Sequence, residues 1–149
     1  MDSADPVARA DALSLLARSE AADLQTAWAS WENRPAINRI RGPAIGLVMV
    51  RGKIGGGGAP FNLGEATVAR ASVRIDSGEV GHGYCLGRDT DKAELIAVID
   101  ALYQREAGNV EFAILRVLRD AEAAREQRRR EEAAATKVEF FTLVRGEDE

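Results

Sequence analysis

The hydrophobic positions follow different spacings along the chain. Near the start, Leu13, Leu15 and Leu16 make an apolar stripe. Asp5 followed by Pro6 has the form of an N-cap with proline at the first helical position, which predicts a helix over 5–18. Ser19 is placed to cap a second helix carrying Leu24, Ala27, Trp28 and Trp31, stopped by Asn33, Arg34 and Pro35. The two are expected as a short hairpin or bent pair.

From Ala36 to Gly87 the pattern becomes short β-forming segments separated by glycine turns, which predicts strands at about 36–41, 44–51, 66–75 and 79–86. Gly42-Pro43 is expected to turn the chain between the first two, and Asp76-Ser77-Gly78 between the last two. Ala44 to Val50 carries no charge, so this strand is expected to be central and covered on both faces. In the third strand Thr67, Ala69, Ala71, Val73 and Ile75 point one way and Arg70, Ser72 and Arg74 the other, so two arginines share a face. His82 has the strand phase of Val80, Tyr84 and Leu86 and is expected in or near the core.

Helical spacing returns after Asp89 or Thr90, either of which can cap a helix carrying Leu95, Val98, Ile99, Leu102 and Tyr103 and ending at Gly108-Asn109. A long helix follows over about 110–135, apolar at Phe112, Leu115 and Leu118 and then heavily charged. Glu126 can face Arg130, and Glu122 Arg125, on a solvated surface. Val138 to Val144 has the β-branched and aromatic character of a final strand. The expected fold is α+β and a single domain, 1–149. It comprises an antiparallel sheet of about four to five strands (a meander over 36–86 plus a C-terminal strand), an N-terminal helical pair and two helices in the C-terminal half.

Composition narrows the function classes. The 149 residues are 46% hydrophobic and 30% charged, which fits a globular chain about one domain long. A formal charge of −4 supplies no general field for nucleic acid, so any anion site must be local. One cysteine and one histidine leave no disulfide, cysteine-rich zinc site or histidine metal cluster to be expected. The start lacks the features of a signal peptide, and the longest uncharged apolar run, Gly42 to Val50, is too short for a bilayer. A cytoplasmic chain with neither membrane nor nucleic-acid partner is expected.

The middle of the chain holds the candidate chemistry. In RGKIGGGGAPF, Arg51 to Phe61, four successive glycines expose backbone amides that can form an anion nest, although the segment matches neither the P-loop nor the dinucleotide fingerprint. A flexible hairpin loop is the plainer reading. Arg70, Arg74 and Arg88 offer guanidinium donors suited to phosphate or phosphonate oxygens, Arg88 immediately before a helix start. Glu65 and Glu94 are the best placed carboxylates for acid–base or Mg²⁺ work, but nothing in the sequence brings them together and a surface role is the plainer reading of each. Cys85 has no activating neighbour in sequence and reads as a small buried or half-buried hydrophobe.

Taken in order, FNLGEATVAR (Phe61 to Arg70), GYCLGRD (Gly83 to Asp89), AELIAVIDAL (Ala93 to Leu102) and VEFFTLVRG (Val138 to Gly146) resemble the G subunit of the bacterial carbon–phosphorus lyase system, PhnG. The resemblance implies an accessory subunit that acts with H, I and L subunits to make α-D-ribose 1-methylphosphonate 5-triphosphate from MgATP and methylphosphonate, releasing adenine. It also implies a core complex of G, H, I and J subunits, with radical C–P cleavage in J and nucleosidase chemistry in I. The chain alone is then expected to bind no cofactor and to be inactive, MgATP being a substrate of the complex. Arg51, Asn62, Gly64, Glu65, Thr67, Arg70, Gly87, Arg88, Asp89, Glu94, Arg145 and Gly146 occupy the family-like pattern and are the candidates for a shared site or interface. His82 and Cys85 stand outside that pattern. The rival readings are a free-standing phosphate-ligand or nucleotide-binding module using the Arg51–Gly58 loop, and a purely structural interaction protein.

Overall fold

A computed structural model describes residues 5–55 and 57–144, and among these the side chains of all but Pro6 and 136–144. The chain divides into two units, Met1–Leu118 and Arg119–Glu149.

The first unit opens with α1 (Pro6–Arg18), whose N-cap Asp5 accepts a hydrogen bond from the Val7 amide at 3.1 Å. Ser19 does not cap the next helix. Its hydroxyl donates back to the Leu15 carbonyl at 2.7 Å and closes α1, and α2 (Ala21–Ala29) starts from Glu20 without a side-chain cap. Leu15, Leu16, Leu24 and Ala27 enter the core. Trp28 and Trp31 stack with ring centroids 6.3 Å apart, and the Arg34 guanidinium lies over Trp28.

The sheet is antiparallel, as expected, but has three strands in the order β1-β2-β3 rather than four or five: β1 (Ile37–Lys53), β2 (Pro60–Ile75) and β3 (Val80–Leu86). The expected strands 36–41 and 44–51 are one strand. Gly42-Pro43 sits in a register shift between Arg41 and Ala44, because proline, having no N–H, is tolerated in an edge strand at a bulge without reversing the chain. Gly55, at φ +51°, belongs to the turn that joins β1 to β2. The other expected turn is present, with the Gly78 amide donating to the Ile75 carbonyl at 2.9 Å.

α3 (Thr90–Val110) covers one face of this sheet. It packs against the inward side of β3, where Gly81 and Gly83 leave no side chain in the way: a Cβ on Gly83 would stand 1.7 Å from the Ala93 carbonyl oxygen. Ala69, Ala71, Val73 and Ile75 of β2 are buried with Ala93, Ile96, Ala97 and Leu102 of α3. The helix breaks at Glu106 (φ −148°, ψ 59°), slightly before the expected Gly108-Asn109 end. A π-helical segment, Glu111–Leu115, then buries Ile114 and Leu115.

α4 (Arg116–Val144) carries the chain through the second unit. Here Glu126 accepts from Arg130 at 3.0 Å, and 127–135 are exposed. The expected C-terminal strand over 138–144 is instead the end of α4. From Arg116 to Val144 there is neither glycine nor proline, and an alanine-, glutamate- and arginine-rich run feeds straight into VEFFTLV, so nothing interrupts the helix.

Candidate functional site

The length mismatch between strands creates the first notable surface. β3 pairs with β2 only from Val68 to Arg74, whereas β1 and β2 continue together as far as Lys53 and Pro60. The outer half of the ribbon is therefore two-stranded. Ala44–Val50, expected to be central and covered, lies on the edge strand and is largely uncovered, with Leu47 64% and Met49 55% exposed. Ile45, Leu47 and Met49 alternate along β1 and so share a face, and Leu63 of β2 is 65% exposed. A two-stranded ribbon is at best marginally stable in water, and one with a row of exposed aliphatic side chains is an interaction surface or an aggregation hazard.

The motif candidates separate into groups. Arg51, Asn62, Gly64 and Glu65 lie on the outer ribbon, where Arg51 pairs with Asn62 and Glu65 with Met49 across the strands. Thr67 and Gly87 meet where the Gly87 amide donates to the Thr67 carbonyl at 2.8 Å, with Gly87 at φ +95°. Arg88 follows, exposed, and Asp89 caps α3 by accepting from the Lys92 amide at 2.9 Å. Arg70 lies on the sheet face opposite α3. Glu94 is held by Arg39 of β1 in a two-point ion pair that fastens the edge strand to α3, and the same pairing raises the arginine's pKa. Glu65 and Glu94 thus serve different places. Arg145 and Gly146 lie outside the described residues.

The glycine loop is a turn that uses its own amides. Gly58 N–H donates to the Ile54 carbonyl at 3.1 Å and Gly57 N–H to the Gly55 carbonyl, so these groups point inward. A Cβ on Gly58 would lie 2.2 Å from the Ile54 oxygen, which accounts for glycine there without a ligand.

Around GYCLGRD a cleft of about 710 Å³ opens between the end of α1, the end of β3 and the start of α3. Its polar groups already have structural tasks. Lys92 Nζ donates to the Ala17 and Ser19 carbonyls at 2.8 and 2.6 Å, satisfying the C-terminus of α1, while Asp89 caps α3. Cys85 is buried as expected, and desolvation raises its thiol pKa, the reverse of an activated nucleophile. His82, expected near the core, is exposed. The inward phase of β3 is Gly81, Gly83 and Cys85, and His82 Nδ1 instead lies 2.9 Å from Ser72 Oγ on the outer face.

Sequence reading missed a charge buried in the core. Asp100, 1% exposed, accepts from Arg9 Nε and Nη2, each at 2.8 Å, and from the His82 backbone amide at 2.8 Å. This locks α1, α3 and β3 together, and the hydrogen bond raises the Arg9 pKa. The signal was present, since an acid inside the apolar run Val98-Ile99-Asp100-Ala101-Leu102 must find a partner. Among the described residues no group of three or more His, Cys, Asp or Glu is arranged to hold a metal, and no helix is long and apolar enough to cross a membrane.

An uncovered apolar ribbon beside an open sheet face is what a protein of the interaction-subunit class presents. The chain belongs to the family of the phosphonate metabolism protein PhnG, whose model matches residues 7–146. It is 51% identical over 151 residues to the alpha-D-ribose 1-methylphosphonate 5-triphosphate synthase subunit PhnG of Rhizobium meliloti (strain 1021), covering 99% of this chain and 95% of that protein.

Proposed function

We propose that the chain is an accessory subunit of an α-D-ribose 1-methylphosphonate 5-triphosphate synthase in phosphonate catabolism. It works in the cytoplasm with H-, I- and L-type subunits on MgATP and methylphosphonate, with adenine released, and shares a core with a J-type subunit. The family membership and the name of the relative support the pathway. The observation that carries the subunit role is the outer ribbon, whose Ile45, Leu47 and Met49 row the described residues leave exposed. Arg51, Asn62, Gly64 and Glu65 would enter the interface with that ribbon. Thr67, Gly87, Arg88 and Asp89 would hold the adjoining joint in register, and Glu94 would keep β1 fixed through Arg39.

Co-expression tests this directly. The chain should co-purify with I- and H-type subunits and be required for adenine release by the mixture. Leu47→Asp with Met49→Asp should abolish co-purification while the circular dichroism of the chain stays native, because the substituted side chains are exposed in it. A wild-type chain that neither co-purifies nor is needed for adenine release would sink the proposal.

A further inference from the structure

The sheet face turned away from α3 has a composition at odds with the rest of this acidic chain. Strand register sets Arg41 opposite Ser72, Arg70 opposite Tyr84 and Ser72 opposite His82, with Arg74 two residues further along β2. Residues directly opposite on paired strands, and those two apart on one strand, share a face, so three arginines gather about the Ser72–His82 hydrogen bond. Asn38, Ala44, Gly46, Val68, Val80 and Leu86 complete that face by the same register, and none is acidic.

Three other arginines of this unit are ion-paired, Arg9 with Asp100, Arg39 with Glu94, and Arg105 with Asp76 and Glu106, while Arg34, Arg51, Arg88 and Arg116 stand singly elsewhere. Arg41, Arg70 and Arg74 are exposed and make no ion pair with any described residue. In a chain with 24 acids against 20 bases, the strand pairing thus sets three arginines without ion pairs on one face with no acid among them. Gly46 shapes the array as well. It stands in the outward phase of β1, and the Arg70 guanidinium lies across it, 3.7 Å from where a Cβ would be.

We propose that this face binds the phosphate chain of a triphosphate-bearing small molecule. Arg70 and Arg74 lie about 13 Å apart along the strand, with Arg41 roughly 5 Å to the side between them, a spacing from which flexible arginines converge on successive phosphates. Ser72 and His82 supply hydrogen-bonding groups at the centre, and Tyr84, 45% exposed, offers a ring beside Arg70 for the rest of the ligand. The choice of a triphosphate rests on the subunit reading above, since the relative's name specifies a 5-triphosphate product.

The full chain, alone and assembled with its partner subunits, is titrated with sodium tripolyphosphate and with ATP, using Arg70→Gln, Arg74→Gln and, as a control on α4, Arg128→Gln. Binding of tripolyphosphate is expected in at least one of the two forms, weakened about tenfold or more by each of the first two substitutions and unchanged by the third. Wild-type assembly is scored separately, so a failed complex counts against the subunit role and leaves the anion test to the free chain. Absence of binding in both forms, or binding that R70Q and R74Q leave unchanged, overturns the proposal. Loss of assembly in R70Q and R74Q without any triphosphate binding also overturns it, and identifies the face as a dock for an acidic protein surface.

Discussion

Adding one methyl group at Gly83 should unseat α3 from the sheet. An alanine Cβ there would lie 1.7 Å from the Ala93 carbonyl oxygen and 2.7 Å from the Ala97 nitrogen, both backbone atoms of a helix that cannot step aside locally. Ordinary contact needs well over 3 Å, so α3 must withdraw by roughly 1.5 Å along its closest line of approach. That movement opens the packing of Ile96 and Leu102 and lengthens the His82–Asp100 hydrogen bond, now 2.8 Å. Overpacking typically costs about 1–3 kcal/mol, and a backbone-to-backbone clash belongs at or beyond the upper end, about 3–4 kcal/mol. At about 3 °C per kcal/mol for a chain of this size, the melting temperature should fall by about 10 °C. The same substitution at Gly108, where a Cβ meets nothing within 4 Å in an exposed helical turn, should stabilise by about 0.5–1 kcal/mol. Urea unfolding followed by circular dichroism measures both with one assay. A Gly83→Ala chain within 0.5 kcal/mol of wild type, or a Gly108→Ala chain equally damaged, would refute the close-approach argument.

Two further outcomes test the interior charges. Arg9→Ala should cost about 2–3 kcal/mol, below the full range for breaking a buried pair because the Arg9 side chain is 30% exposed and water can partly replace it. Asp100→Asn added to Arg9→Ala should recover part of that loss, and a double-mutant cycle additive within about 0.3 kcal/mol would show that the two residues do not act together. Cys85, its thiol pKa raised by burial, should react with an aromatic disulfide reagent at pH 8 about 100-fold more slowly in the native chain than in urea. For a thiol held neutral in the fold, the linked stability is intact below the ordinary thiol range and declines as pH rises through it. Cys85→Ala should remove that part of the alkaline decline, and an unchanged slope would count against the assignment.

What the sequence conveyed well was local. Asp5-Pro6, Asp76-Ser77-Gly78 and Asp89 act through bonds to neighbours a few residues away, so their residue types suffice to place a helix start, a hairpin turn and a second helix start. The alternation of β2 was legible for the same reason. His82 was misplaced because β3 inverts the usual cue: its larger side chains, Tyr84 and Leu86, face outward, and its buried phase is Gly81, Gly83 and Cys85, the glycines set by the approach of a helix. Arg9–Asp100 and Arg39–Glu94 join residues 91 and 55 positions apart, and no pattern within one segment specifies such partners. VEFFTLV has the composition of a strand, yet strand formation needs an edge to pair with, and an unbroken helix leads directly into it.

The misreading of Ala44–Val50 bears most directly on function. An uncharged run of β-formers carries a valid thermodynamic demand that its apolar faces be covered, and the sequence states that demand without naming what satisfies it. Among the described residues of the first unit the cover stops short, because β3 ends its pairing at Val68 and α3 lies over the inner part of the sheet. The expected burial and the observed exposure agree if the cover comes from another polypeptide, as membership of a synthase-subunit family leads one to expect. The arginine face opposite α3 carries the complementary demand in electrostatic form, a concentration of like charge that an anion relieves. The two surfaces call for different occupants, one apolar and one anionic, and a subunit that docks by its ribbon while presenting its open face to a phosphorylated ligand would satisfy both.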